Sequence, residues 1–241
     1  MASHRATDRR RSGWRGVART IGPIVGLAVI AGCASTRTEP VSTAAPVMTS
    51  DGLAEVSRTR TSGLWVKPDH QLGRYDDVLI NVAGFLYRDG QEPLSTEQER
   101  EIRRMLAGAI LGITEGTPVG VANRSGECVV RVEIGLKDLR LFTAPDTGSR
   151  SSVVSSFGET TMVVEFRDSL TNVPLVRYAA HRGLGGGPGT GHGGADLGRL
   201  GKALGAMVTD MTTELQTIVP STTVRDATTC NDGIYKLTGR G

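Results

Sequence analysis

The fold is decided by residues 128–141, which read CVVRVEIGLKDLRL. Apolar side chains occupy the even positions at the start of this stretch, and charged side chains such as Arg131 occupy odd positions. A period of two is typical of a half-buried strand with one face on a core. The apolar positions become odd at Leu139, so we expect a bulge near Lys137-Asp138 to absorb the change of phase.

Two further strands follow with the same alternation. The first covers Thr160 to Phe166, and the second covers Leu175 to His181. Between them the segment DSLTN, residues 168–172, is typical of a turn in which Asn172 adopts a positive φ. These features predict an antiparallel hairpin.

Two amphipathic helices are also predicted. The segment STEQ at residues 95–98 matches a capping box. The helix that begins there has an apolar face formed by Ile102, Met105, Leu106, Ile110 and Ile113. The second helix runs from about Ala195 to Ile218 with a continuous apolar stripe, and Pro220 ends it.

The order of elements gives the predicted fold class. An apolar strand at residues 77–82 precedes the first helix, so the order is strand, helix, three strands, helix. We predict an α+β two-layer sandwich with about four strands, mostly antiparallel, and both helices on one face. A parallel strand pair around the first helix is compatible with this order.

The N-terminal 32 residues are predicted to be a lipoprotein signal peptide. Six arginines precede the apolar run 21–31, which is too short to cross a membrane as a helix. The run ends in VIAGC, residues 29–33, which resembles a bacterial lipobox whose Cys33 carries acyl chains such as palmitate. The alternative is an ordinary signal peptide with an incidental cysteine. A twin-arginine signal at Arg10-Arg11 is disfavoured, because the expected apolar pair is missing.

The charge of the chain changes when this leader is removed. The full sequence has 28 basic and 25 acidic residues. The leader holds six of the basic and one of the acidic residues, which leaves a mature net charge of −2. A basic surface for nucleic acid is therefore not predicted. Several acyl chains on one residue give stable anchoring. Because no Asp follows Cys33, the predicted location is the periplasmic face of the outer membrane, if the cell is Gram-negative.

Two cysteines remain after acylation of Cys33, namely Cys128 and Cys230. An even pair in an exported chain predicts a disulfide, although two free thiols are the alternative. The bridge would pin a C-terminal tail at residues 221–241. Residues 33–61 are rich in Ser, Thr, Ala and Pro and are predicted to be a flexible tether, so the globular domain is predicted at residues 62–220.

Several segments together resemble an uncharacterised family of bacterial lipoproteins, domain of unknown function number 3313. They are TSGLWV at 61–66, LGRYDDVLI at 72–80, DSLTN at 168–172 and the strand 175–182. Asn172 stands where the family has Gly. The resemblance covers about residues 61–220 and implies a lipoprotein fold and location. It implies no catalytic residues.

No catalytic, cofactor-binding or metal-binding residue is predicted. The glycines at 189, 191 and 194 match a dinucleotide fingerprint, but the preceding strand belongs to a hairpin and not to a βαβ unit. His181, His192 and Asp196 lack the spacing of a metal site on a helix. Asp76 and Asp77 are adjacent in a strand and so point to opposite faces.

Two functions remain compatible with the sequence. The first is a non-catalytic accessory or assembly subunit, anchored to the membrane through Cys33, that docks an envelope protein. The alternative is a periplasmic ligand-binding module or enzyme acting on envelope lipid or glycan. An apolar cavity lined by a few polar groups would favour the alternative.

Cys33→Ala is expected to leave the fold intact and to release the protein from the membrane, because the acyl chains are the predicted anchor. Membrane fractionation with immunodetection measures this. A Cys33→Ala chain that stays firmly in the membrane fraction would contradict the anchoring hypothesis.

Overall fold

The computed structural model describes residues 47–115, 117–142, 153–154, 156–188, 196–219, 230 and 234. These residues belong to one compact unit. The predicted signal peptide, Cys33 and the glycines at 189, 191 and 194 lie outside them. In the described part of the chain, no helix is both long enough and apolar enough to span a membrane.

Nine strands and two helices are formed by the described residues. The strands are β1 (Ala54–Arg58), β2 (Ser62–Val66), β3 (Asp77–Tyr87), β4 (Gly120–Val121), β5 (Val129–Leu141), β6 (Val153–Val154), β7 (Gly158–Asp168), β8 (Pro174–Gly183) and β9 (Gly187–Pro188). The helices are α1 (Thr96–Thr114) and α2 (Leu197–Ile218), and a short 3-10 helix covers Leu72–Arg74.

The main sheet has seven strands in the order β1-β2-β8-β7-β5-β3-β4. β3 runs parallel to both β5 and β4, and the other pairs are antiparallel. The prediction of about four mostly antiparallel strands is therefore wrong, although the α+β class is compatible with the structure. The error has a physical cause. β1, β2 and β4 have five, five and two residues and are too short to show a clear period. The pairing of β3 with β5 depends on how α1 returns the chain to the sheet.

β5 is an interior strand of the sheet, and its apolar face packs on the core, as the sequence predicts. Its register against β7 shifts between Lys137 and Arg140, and Asp138 has a φ of 54°. The predicted bulge is thus confirmed. The predicted β7–β8 hairpin is also confirmed, and Asn172 at its turn has a φ of 60°.

Both helices pack on the face of the sheet that carries the even-numbered side chains of β5. α1 buries Ile102, Leu106 and Ile110, and α2 buries a longer stripe that includes Leu204 and Met211. The predicted capping box is confirmed, because Ser95 and Gln98 each bond the other's backbone N–H. The opposite face of the sheet carries no helix among the described residues.

The predicted tether of residues 33–61 extends too far along the chain. Its residues from Val47 onward belong to the folded unit, because Met48 bridges Ala54 and β1 pairs with β2. β1 has only two apolar residues, Ala54 and Val56, and polar residues surround them. The sequence therefore does not indicate a strand there. A tether over residues 33–46 stays a prediction.

The disulfide between Cys128 and Cys230 is present, with a Cα–Cα distance of 5.6 Å. Ile234 is buried beyond it, and its N–H donates to the carbonyl of Tyr75 at 2.9 Å. These contacts attach described residues of the C-terminal segment to the start of β5. Closing a loop of 102 residues stabilises the fold by about 4–5 kcal/mol in the chain-entropy treatment.

Gly158→Ala is expected to lower the free energy of unfolding by roughly 1–3 kcal/mol or more. Gly158 has a φ of +122°, and a Cβ there would lie 1.9 Å from the carbonyl oxygen of Arg140. Gly108→Ala is the matched control, because Gly108 is helical and has open space around it; it should stabilise α1 by up to about 1 kcal/mol. Urea unfolding measures both, and equal stabilities would contradict this account.

Candidate functional site

Two of the segments behind the predicted family resemblance, LGRYDDVLI at 72–80 and DSLTN at 168–172, meet at one end of the sheet. The hydroxyl of Tyr75 donates to Oδ2 of Asp168 at 2.7 Å, and Oδ1 of Asp168 accepts from the N–H of Thr171 at 2.7 Å. Burial, together with the bond to Asp168, raises the pKa of Tyr75. Burial opposes ionisation of Asp168, but its hydrogen bonds outweigh that and lower its pKa. The bond between Tyr75 and Asp168 joins the segment before β3 to the end of β7, so the role of both residues is structural.

Asp76 and Asp77 belong to the same end of the sheet. Both of their backbone N–H groups donate to the carbonyl of Cys128, at 2.9 and 3.1 Å. A carboxylate oxygen of Asp76 lies within 4.8 Å of the sulfurs of Cys128 and Cys230. Because those sulfurs form a disulfide, they are not thiolates, and in this oxidised state they do not bind a metal.

The other residues weighed as metal ligands have separate surroundings. Asp196 caps α2 by accepting from the N–H of Arg199 at 3.0 Å. His181 lies on β8 with 46% of its side chain exposed, near Thr161 and Glu159. His192 lies outside the described residues.

The sheet face without a helix carries a network of paired charges, which we call the charged row. Glu133 and Glu165 stand opposite each other on β5 and β7, an arrangement that is unfavourable for like charges. Arg167 lies between them and pairs with both. Arg131 contacts Glu133 at 3.1 Å, and Arg177 contacts Glu165 at 2.6 Å.

Asp51 completes the charged row by pairing with Arg177. A hydrogen bond from Thr49 and the pairing with Arg177 hold the pKa of Asp51 below its usual value, although burial opposes this. Burial disfavours the charge of Arg177, but Glu165 and Asp51 outweigh it and raise the pKa of Arg177. The six side chains are only 15–33% exposed. The row is therefore neutral and partly desolvated.

Beside the charged row, the same face has a flat strip that we call the small-residue row. It has one residue from each of five neighbouring strands, and each residue pairs with the next. In order they are Gly63 on β2, Ala179 on β8, Val163 on β7, Gly135 on β5 and Gly84 on β3. The ring of Trp65 covers Gly63, and a Cβ on Gly63 would lie 2.5 Å from that ring. The two rows together form a shallow surface, which we call the open sheet face.

A different feature lies on the other side of the sheet, where the C-terminal ends of α1 and α2 approach β3, β5 and β7. It is a cavity of about 60 Å³ that we call the apolar cavity. Three polar residues line it, namely Thr114, Thr212 and Gln216. The rest of its lining is apolar: Leu72, Val78, Ile110, Ile113, Val119, Val132, Phe166, Met211, Leu215, Val219 and Ile234.

A groove between α1 and α2, which we call the interhelical groove, adjoins this cavity. Its volume is about 460 Å³, and it shares Ile113, Thr212 and Gln216 with the apolar cavity. Gly112 and Gly205 line it, and a Cβ on either would meet no atom within 4 Å. The absence of side chains at these two positions keeps the groove open.

A third concavity of about 500 Å³ lies between β8 and α2. Ser62 donates to Glu214 at 3.1 Å there, and Arg182 pairs with Asp210 at 2.9 Å. Burial raises the pKa of Tyr178 in its wall to about 12. Ser62 is thus bonded to Glu214, and Arg182 to Asp210.

Comparison with known proteins gives no family assignment. No family model matches the chain, and no curated protein matches it. Among solved structures, the chain is similar to the PelC dodecamer from Paraburkholderia phytofirmans, with 10% identity over 64% of this chain and 96% of that one and a TM-score of 0.36.

Two other solved structures are similar at the same low level. One is a putative neuraminyllactose-binding hemagglutinin homolog from Helicobacter pylori, with 10% identity over 64% of this chain and 89% of that one and a TM-score of 0.37. The other is protein XCC0632 from Xanthomonas campestris, with 11% identity over 70% of this chain and 89% of that one and a TM-score of 0.28. The resemblance to domain of unknown function 3313 stays a prediction.

Sequence reasoning missed both the open sheet face and the apolar cavity as units. The alternating charges of β5 and β7 are visible in the sequence, but only the strand register shows that they pair. The side chains of α1, α2 and three strands leave the cavity unfilled between them. No local sequence pattern indicates such a space.

The pH dependence of the free energy of unfolding tests the buried position of His70. Its side chain is buried, and Nδ1 accepts from the N–H of Leu72 at 3.3 Å. Burial lowers the pKa of His70 below 6.5. As the pH falls below 6.5, the unfolded chain takes up a proton that folded His70 resists, so the free energy of unfolding should decrease.

His70→Asn should weaken this loss of stability between pH 7.5 and 5.5, because the titrating group is gone. The matched control is Gln71→Asn at the exposed neighbouring position, which carries no titratable side chain and should keep the wild-type pH dependence. Urea unfolding at each pH measures both variants. An unchanged pH dependence in His70→Asn would contradict the assignment.

Proposed function

We propose that this chain is a lipoprotein of the bacterial cell envelope, anchored through acylated Cys33, and that it serves as a non-catalytic accessory or assembly subunit. In a Gram-negative cell, the proposed location is the periplasmic face of the outer membrane. The folded unit docks an envelope protein through the open sheet face. The lipobox and the predicted tether over residues 33–46 support the anchoring.

The disulfide between Cys128 and Cys230 supports an envelope location. Disulfides persist in oxidising compartments such as the periplasm and are rare in the reducing cytosol. The bridge joins the start of β5 to a segment 102 residues later. Much of the folded unit therefore lies within a covalently closed loop, which suits a protein that works outside the cytoplasm.

The observation that carries the docking role is the pairing of all six charges on the charged row. A partner that covers this row meets side chains that already neutralise one another and are already largely removed from water. Covering them thus costs less desolvation than covering free charges would. Beyond Gly63, which the Trp65 ring already covers, the adjoining small-residue row adds a strip on which a partner backbone or aromatic side chain can lie close.

The partly buried polar pair at the end of the sheet and one residue weighed as a metal ligand have structural roles, which supports a non-catalytic function. Asp168 and Tyr75 bond each other and close the sheet, and Asp196 caps α2.

Site-specific photo-crosslinking of the acylated full chain in its native envelope tests the proposal. A photoreactive phenylalanine analogue replaces Val163, which is on the small-residue row. The matched control replaces Arg104, an exposed α1 residue whose side chain is 65% exposed. Mass spectrometry identifies the adducts. Position 163 should capture one envelope protein in high yield, and position 104 should not.

Val163→Glu should abolish that crosslinked partner when the probe is moved to Ala179, and Arg104→Glu should not affect it. Thermal unfolding of Val163→Glu serves as the control for folding, since Val163 is only half-buried. Identical adducts from positions 163 and 104, or none from either, would contradict docking through the open sheet face.

A further inference from the structure

We propose that the apolar cavity and the interhelical groove together bind a single aliphatic chain of a lipid. The end of the chain enters the cavity, the remaining methylene groups lie along the groove, and the head group stays in water. This inference takes up the ligand-binding alternative, which the apolar cavity with its few polar groups favours. It goes beyond the docking role and uses the opposite side of the sheet.

The size of the cavity favours a narrow ligand. A cavity of about 150 Å³ holds a benzene ring, and this one has about 60 Å³. It is therefore too small for a ring but has space for the last methylene and methyl groups of a straight chain. The longer part of such a ligand needs a channel that leads outward, and the interhelical groove supplies it, because the two share Ile113, Thr212 and Gln216.

The lining of both spaces favours an uncharged and non-hydrogen-bonding ligand. None of the described residues that line the cavity or the groove is charged. A buried polypeptide would bring backbone N–H and C=O groups that need partners. Among the described residues the cavity offers Thr114, Thr212 and Gln216, and the last of these is exposed. The groove adds Thr209 and Thr213, whose hydroxyls, like that of Thr212, already donate to carbonyls of α2. A hydrocarbon chain needs no such partners and gains free energy from each methylene that leaves water.

The backbone of the two helices determines the width of the groove. Gly112 on α1 and Gly205 on α2 have no side chains, and a Cβ at either position would meet open space. Ala109 and Thr209 extend the same small lining. A channel with this lining accepts a polymethylene chain lying between the helices.

Fluorescence binding tests the proposal on the purified full-length Cys33→Ala chain, which carries no acyl group of its own. The probe is 11-(dansylamino)undecanoic acid, whose emission rises in an apolar environment. Saturable binding is expected, with displacement by dodecanoic acid and by dodecanoyl lysophospholipid. Displacement by the fatty acid alone assigns the site to free fatty acids, and displacement by the lysophospholipid assigns it to membrane lipids. No saturable binding would overturn the proposal.

Ile113→Trp locates the site, because a larger side chain at position 113 fills the junction of cavity and groove. Binding should weaken by about tenfold or more, the loss expected when about two methylene groups are no longer buried. Leu111→Trp is the matched control, since Leu111 is 37% exposed and lies on α1 outside both linings. Equal affinities for the two variants would overturn the proposal.

A second measurement keeps the test decisive if Ile113→Trp does not fold. Dodecanoic acid with a terminal diazirine is photolysed with the Cys33→Ala chain, and the adducts are mapped by mass spectrometry. Adducts on residues that line the apolar cavity, including Leu72, Val132 and Phe166, or on residues 105–119 or 205–219 support the site. Adducts elsewhere overturn it. Neither readout depends on membrane anchoring or on the open sheet face, so a failure here is distinct from a failure of the proposed function.

Discussion

Burial of the even-numbered side chains of β5 is the interaction on which the rest of the structure depends. Val130, Val132, Ile134 and Leu136 are all at most 2% exposed. β5 is also paired along both sides, with β3 and with β7. Two neighbours and a covering layer of two helices are needed to bury one strand to this extent. The position of β3, of the β7–β8 hairpin and of both helices follows from that requirement.

The end of the sheet where β5 begins is held by bonds between distant parts of the chain. The bond from Tyr75 to Asp168 joins the start of β3 to the end of β7, and the disulfide joins Cys128 to Cys230. Two of the segments behind the predicted family resemblance thus meet at a structural junction. Their residue types are explained by the requirements of folding, and the places suited to binding lie elsewhere, on the open sheet face and between the helices.

Much of the local structure could be predicted from the sequence because local rules determine it. The alternation of β5, the Asn172 turn and the capping box at Ser95 each depend on a few neighbouring residues. The seven-stranded sheet could not be predicted in this way. β4 contributes only two residues, and β1 pairs through a bulge, so neither has a detectable period. The cavity depends on how far apart two helices pack, which no short segment specifies.

β5 also explains how one sheet can serve two kinds of ligand. Its odd-numbered residues Arg131, Glu133 and Gly135 face the open side, and its even-numbered residue Val132 lines the apolar cavity. Adjacent positions on one strand therefore belong to surfaces of opposite chemistry, separated by the thickness of the sheet. A partner on the charged row and an aliphatic chain between the helices would not compete for space. Any coupling between them would have to pass through β5 itself, whose pairing on both sides resists displacement.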